Sequence, residues 1–563
     1  MTFKKFSYLV LILFICGKAL NAQIENVPID EPVYNFLKNM SVKGLIGSIR
    51  DDNPNLSKDD ISDFLGEIES KKDELSEVDR KLLYRYQVQY DYKVMNDENS
   101  FQLIKSKYGF KGETSELLSD KEKYLYTFRD NRNSFFFNFI TNFSYSAMLK
   151  PDSKKNARLF DFGIYADGTL FEKLGYQFSV TKGGLTGDGD LASQIDGRLR
   201  YNFKFRENLP EESVRSYDFA TGYLKYEAKP LDDMKISLQL GREKTKVGLG
   251  YSKSLVLSGQ HADMDFIKFN FQYGIVNFSS MTASTVGAFF PSIEDRYTKY
   301  VATNRLKISI PELFDIGIGE VIIYARPLEL AYLNPLIFYK FVEHSLQDRD
   351  NGAIYFDFQT HFIKGLQFQG TFFLDENIIS NPFEFNKATN KTAIQFGAYT
   401  YELFGISNLT LFSEYTFIRP YVYSHRSVKA AFTSWEEIIG NNIGPNADQI
   451  IFDASYNFTD KIRLKARYSH TRKGENVYDE NGTLIKNVGG DVNTPYIEGT
   501  DPSEAKFLDG IRINTDNISL IAEIETIKNL TFGIFYNYRL ENNITKSKKE
   551  DLSFISLMVN LNL

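Results

Sequence analysis

The chain has 563 residues and a formal net charge of −7, which argues against nucleic acid as a partner. Aromatic residues make up 15%, with 48 Phe and 35 Tyr but 1 Trp, high for a soluble protein and usual for a barrel with aromatic girdles. After the N-terminal segment no apolar run reaches about 18 residues, which excludes helical membrane spans. The length also exceeds one ordinary compact domain unless that domain is a large barrel.

Lys4 and Lys5 precede a short apolar run, Phe6 to Cys16, and Ala22 offers a small residue before Gln23. Residues 1–22 are therefore expected to be an export signal. Cys16 is the single cysteine. It is either lipidated or, on the preferred reading, removed with the signal, leaving no thiol for a disulfide or a metal. Residues 23–131 read as a periplasmic helical bundle. Asp30 is an expected N-cap with Pro32 in the first turn, and Val33, Phe36, Leu37 and Met40 follow at helical spacing. Ser57 and Ser76 are expected to cap two more helices, and a further helical segment is expected around Leu117, Leu118, Tyr124 and Leu125.

From Ser134 the period becomes two. Roughly nineteen strand-like segments follow, running from Ser134–Ala147 through Ser193–Phe205 and Tyr217–Lys229 to Asp551–Leu563. Tight connections such as Pro230–Asp233, Tyr273–Gly274 and Thr459–Lys461 alternate with long ones such as Glu243–Met264, Pro327–Gly352, Pro420–Ala447 and Lys473–Asn514. Tight periplasmic turns and long external loops are the pattern of an outer-membrane barrel. Such barrels have even strand numbers, so one segment between Ser134 and Phe205 is misread and the expected count is about eighteen. The fold class is therefore mainly β, a transmembrane antiparallel barrel over residues 132–563 with an N-terminal periplasmic helical region. Its final stretch, Phe554–Leu563, places Ile555, Leu557, Val559 and Leu561 on one face, expected to meet lipid. That strand must pair with the first, because an open edge is not tolerated in lipid.

The five histidines lack metal-ligand spacing, and neither a nucleophile elbow nor a phosphate loop occurs. No catalytic residue, metal or cofactor is expected. The stretch Gly183–Asp190 looks like one calcium-binding repeat, but a single copy reads better as a turn. Two loops concentrate rings with Arg, Asn, Asp and His. One carries Asn334, Asp350 and Asn351; the other carries Arg419, Tyr421, Tyr423, His425, Arg426 and Trp435. Rings stack on apolar sugar faces and planar polar groups bond hydroxyls and carboxylates, so these nine residues are the candidate glycan contacts. The plainer reading is an aromatic girdle and lumen packing.

Three stretches resemble the capsule assembly Wzi family of outer-membrane proteins: Val27–Tyr34; Gly319-Glu320 with Tyr332-Leu333-Asn334-Pro335 and Asp350-Asn351; and Arg419–His425 followed by Gly444–Asp448. The resemblance implies a barrel with a periplasmic helical bundle that attaches capsular polysaccharide to the cell surface as a lectin-like, non-catalytic protein. The expected partners are extracellular polysaccharide and outer-membrane lipid, with the barrel a monomer. The polar Lys473–Asn514 loop departs from the family. The alternative reading is a porin or solute transporter.

Overall fold

The computed structural model describes residues 23–207, 214–289, 292, 294–375, 384 and 386–563. The expected export signal, Cys16 included, lies outside them. Eighteen long strands close into one antiparallel barrel, and the short strand Tyr126–Arg129 joins it as a hairpin on the first. In chain order the strands begin with β1 (Ser134–Lys150), β2 (Asn156–Leu170), β3 (Leu174–Gly187), β4 (Arg215–Leu231), β5 (Met234–Glu243) and β6 (Met264–Tyr273). Next come β7 (Val276–Val286), β8 (Thr298–Ile310), β9 (Phe314–Tyr324), β10 (Asn351–Thr360), β11 (Leu366–Leu374) and β12 (Thr392–Tyr401). The last are β13 (Leu409–Ile418), β14 (Ala447–Asn457), β15 (Ile462–Glu475), β16 (Ile511–Ile527), β17 (Leu530–Asn543) and β18 (Lys548–Asn562). Each pairs with the next, and β18 returns to β1 with Leu557 opposite Tyr145 and Val559 opposite Phe143. No edge is left open in the wall, the condition a bilayer imposes.

Alternation along each strand sorts the two faces of the wall. Phe160 and Phe162 on β2, Leu306 and Ile308 on β8, Ile316 on β9, Phe356 and Phe358 on β10, and Phe396 on β12 are exposed on the outside. On β18, Ile555 and Leu557 are exposed while Phe554 and Ser556 are buried inside, the register expected from the sequence. Short turns, among them 171–173, 232–233, 274–275 and 311–313, gather at one end. The long connections 244–263, 325–350, 419–446 and 476–510 gather at the other, with residues 188–207 of the β3–β4 connection.

One expected strand, Ser193–Phe205, is helical instead. It comprises α4 (Gly189–Ile195), a 3-10 turn (Gly197–Tyr201) and α5 (Phe203–Glu207) in the β3–β4 loop. Three caps override the strand-like alternation of Leu199, Tyr201, Phe203 and Phe205. Asp188 accepts from Leu191 N at 2.8 Å, Asp196 from Arg198 N at 3.0 Å, and Asn202 from Phe205 N at 3.1 Å. Removing this segment leaves the even strand number.

The N-terminal region holds α1 (Pro32–Lys43), α2 (Lys58–Glu69) and α3 (Glu77–Tyr90). Ser57 and Ser76 cap α2 and α3 as expected, and Ser57 forms a reciprocal capping box with Asp60. The N-cap position of α1 is Glu31 rather than Asp30, and its side chain makes no capping bond. The fourth expected helical segment is a 3-10 turn, Thr114–Leu118, followed by the short strand Glu122–Tyr124, which pairs with Ser100–Gln102. This region fills the tight-turn end of the barrel. Lys58 meets Asp167 at 2.6 Å, Asp60 meets Lys235 at 2.8 Å, and Asp52 pairs with Arg305 and, at 2.7 Å, with Lys307. Tyr399 and Tyr401 donate to Asn39 and Asp79, both at 2.7 Å, and their rings join the apolar core of α1–α3. These plug-to-wall charges are paired, which offsets their loss of water.

Candidate functional site

The lumen is also filled from the loop end. The α4–α5 segment packs Leu191, Ala192 and Leu199 against Leu159, Leu185 and Phe554 on the inner wall. Loops 244–263 and 419–446 pack Leu255, Val256, Leu257, Val422, Tyr423, Phe432 and Ile439 into a second inner core. Between this roof and the N-terminal plug remains a polar chamber of about 710 Å³, bordered by Asp30, Gln177, Arg198, Tyr223, Lys244 and His261. Its charges are largely matched: Lys244 meets Asp30 at 2.8 Å, and Arg198 meets Asp196 at 2.7 Å. Burial pushes the Lys253 ammonium down to about 8, helped by the charges of Arg467 and Arg200. Its Nζ donates to Asn442 at 2.7 Å. Arg200, Glu437, Ile438 and Asn442 border both this chamber and a second groove of about 710 Å³ nearer the loop tips. That groove is walled by Lys473, Asn476, Tyr478, Asp491 and Asn493.

Beside the groove stands a row of half-buried rings. Trp435 stacks on Phe289 at 6.3 Å, and Phe289 meets Phe203 at 5.8 Å. Arg206 lies 4.6 Å over Phe289 and pairs with Glu436, which itself lines the groove; Arg296 lies 4.7 Å over Phe203. The helical turn that the sequence pattern disguised as a strand is what carries Phe203 and Arg206 here. One stacked and one tilted ring pair, with two guanidinium groups, present both apolar surface and planar donors.

Of the nine expected contacts, Trp435 belongs to this platform, and Arg426 is exposed on the same roof. Arg426 bonds the backbone and pairs with the carboxylate of Asp348, tying two long loops together. The others of that loop are interior. Tyr421 and Tyr423 are 1% and 0% exposed, so the expectation that they face a ligand is corrected. The Tyr421 hydroxyl donates to Asn487 O at 3.2 Å and that of Tyr423 to Leu255 O at 2.7 Å. Both hold positive φ, 64° and 72°, a conformation bulky residues keep only when their surroundings over-determine it. Arg419 is buried, donating to Asn390 O at 2.9 Å, and His425 Nδ1 accepts from Ser427 N at 3.1 Å.

The loop 325–350 does not stand over the mouth. Asp350 takes two bonds from Arg326, at 3.1 and 2.6 Å, and one from the Tyr332 hydroxyl at 2.9 Å, clamping both ends of the loop. Asn334 is exposed and caps a local turn by accepting from Leu336 N at 3.1 Å. Asn351 is buried on the inner face at the start of β10, and its Nδ2 has no partner among the described residues. These three residues therefore lie away from the ring platform.

The chain has the fold of Wzi from Escherichia coli, an outer-membrane protein involved in group 1 capsule assembly and described as a carbohydrate-binding β-barrel. The likeness covers 95% of this chain and 99% of that one, with 13% identity and a TM-score of 0.55. OprD of Pseudomonas aeruginosa aligns over 76% of this chain and 95% of its own, at 11% identity and a TM-score of 0.41. No curated protein matches the sequence. The model of one protein family, described as capsule assembly protein Wzi, matches residues 173–531. The match runs from the β2–β3 turn to β17, well over half the chain: this protein belongs to the capsule assembly Wzi family.

Proposed function

We propose that this outer-membrane barrel holds extracellular polysaccharide at the cell surface through its loop end, by binding and not by catalysis. The observation that carries this is the row Trp435–Phe289–Phe203 with Arg206 and Arg296, joined through Glu436 to an open groove, in a member of a capsule assembly family. Escherichia coli Wzi, which shares the fold, is itself described as carbohydrate-binding. A sugar ring lays its apolar face on the aromatic row, and the guanidinium groups and the groove's Asn476 and Asn493 take its hydroxyls or carboxylates. Trp435 and Arg426 are the expected contacts that suit this role; Arg419, Tyr421, Tyr423 and Asp350 act by holding the loops. The barrel works as a monomer in lipid, with the plug on the periplasmic side. A lumen packed from both ends opposes the porin reading.

The test is a Trp435→Ala, Phe289→Ala double variant compared with wild type for cell-associated and released polysaccharide. Insertion should be normal, since neither side chain serves the strand ladder, and released polysaccharide should rise several-fold. Normal insertion with unchanged retention would remove the platform from the site.

A further inference from the structure

The loop 325–350 crosses the outer face of the barrel wall. Even-numbered residues of β7, β8 and β9 face outward, as the exposed Leu306, Ile308 and Ile316 establish. Its hydrogen bonds to β7, β8 and β9 are made to that face. Thr282 Oγ1 donates to Tyr332 O at 2.9 Å, Asn304 Nδ2 to Ile337 O at 3.0 Å, and Glu320 accepts from Tyr339 N and Lys340 N at 2.8 and 3.1 Å. The last two bonds seat the start of α6 (Tyr339–Ser345) on the wall. Tyr332 and Tyr339 pack with Ala302, Ile322 and Tyr324 into an apolar cluster separate from the lumen core, where Val301, Val321 and Ile323 of the same strands lie. Glu320 stands about as far above its tight turn as the exposed Phe396 does on β12. Thr282, Asn304 and Glu320 thus form a polar patch at a height where the wall elsewhere is apolar, and the loop covers it.

The loop's own outer surface is apolar. Leu330 is 74% exposed, Leu336 85%, Phe338 53% and Phe341 70%. Its polar stretch, His344 to Arg349, runs back to the roof, where Asp348 meets Arg426. In water so many exposed apolar side chains in one segment would be a liability. This patch is continuous with the lipid-facing band of the barrel directly beneath it.

We infer that the segment 325–350 is a strap embedded in the outer half of the bilayer, its face of Leu330, Leu336, Phe338 and Phe341 covered by lipid acyl chains. It replaces bare wall over the polar patch and widens the barrel on one side only. The strap is therefore a lipid-contact element, independent of where the glycan binds.

The single tryptophan permits a direct test. In a Trp435→Phe background, Leu336→Trp, Phe341→Trp, Ile316→Trp and Lys429→Trp are placed one at a time and the full chain is folded into phosphatidylcholine vesicles. Fluorescence is quenched by lipids brominated in the acyl chain or by aqueous iodide. Leu336→Trp and Phe341→Trp should be quenched by bromolipid to within about twofold of Ile316→Trp on the bare wall, and be shielded from iodide relative to Lys429→Trp on the roof. Iodide quenching equal to that of Lys429→Trp overturns the inference. So does protection from both quenchers, which would mean that protein, such as a second copy, covers the strap. Two independent positions guard against one variant misfolding.

Discussion

At the scale of single residues, two side chains test the reading sharply. Leu557 is half-exposed on the outer face of β18, midway between the ladder partners Ile534 and Tyr145. Leu557→Arg should destabilise by about 2–4 kcal/mol if it lies near the midplane. Asn560→Arg, on the inner face yet exposed, should be milder, and urea titration of folded barrels in vesicles compares them. Equal effects would contradict the register. Glu31 sits at the N-cap position of α1, where its carboxylate accepts from the Tyr90 hydroxyl; burial, and then the neighbouring Asp30, pushes that carboxyl up to about 7 from an ordinary 4.5. The folded state therefore binds this proton more tightly than the unfolded one. The associated stability is fully present below about 4.5 and is lost as pH rises through about 7. Amide exchange in α1, corrected for intrinsic rate, should be faster at pH 8 than at pH 6. Glu31→Gln should remove the difference; if it persists in that variant, Glu31 is not its source.

At the scale of elements, the plug is held by charges as much as by its core. Burial raises the Asp52 carboxyl, but Arg305 and Lys307 more than offset this and hold it below the usual carboxylate range. Breaking a buried pair typically costs about 3–5 kcal/mol, and here the lower end is expected, since Arg305 keeps Asp357 at 2.5 Å. Asp52→Ala should leave the barrel closed but expose α1–α3 to limited proteolysis of the purified protein; unchanged resistance would show that the apolar core alone seats the plug. The strands were legible because period two survives wherever one face meets lipid. The error at Ser193–Phe205 has a local cause. Leu199, Tyr201, Phe203 and Phe205 alternate like a strand, and the capping power of Asp188, Asp196 and Asn202 decided otherwise. The site was only partly legible. A ring that plugs a loop and a ring that meets a sugar carry one signature, so Tyr423 and Trp435 looked alike until depth separated them. Loop parity told at which end 325–350 emerges, but not that it folds over the outer wall.

At the scale of the whole molecule, orientation is the property to check. If the long loops face outward, protease added to intact cells should spare residues 23–131 and cleave within 476–510, whose Ile485 and Ile497 are exposed. Cleavage near α1–α3 before the outer membrane is permeabilised would reject the orientation. On the proposed function, three half-buried rings beside the groove would grip only a few sugars of a long polymer, and a single grip of that kind would release readily. A polymer that lies across many barrels is in another regime, because each engaged copy raises the effective concentration of the next site, and avidity can exceed the single affinity by roughly 10²–10⁴. Retention would then be a property of the population. It would fall steeply once barrels are spaced too widely for one polymer to reach several, and short fragments would wash away from the same surface that keeps the full-length chain.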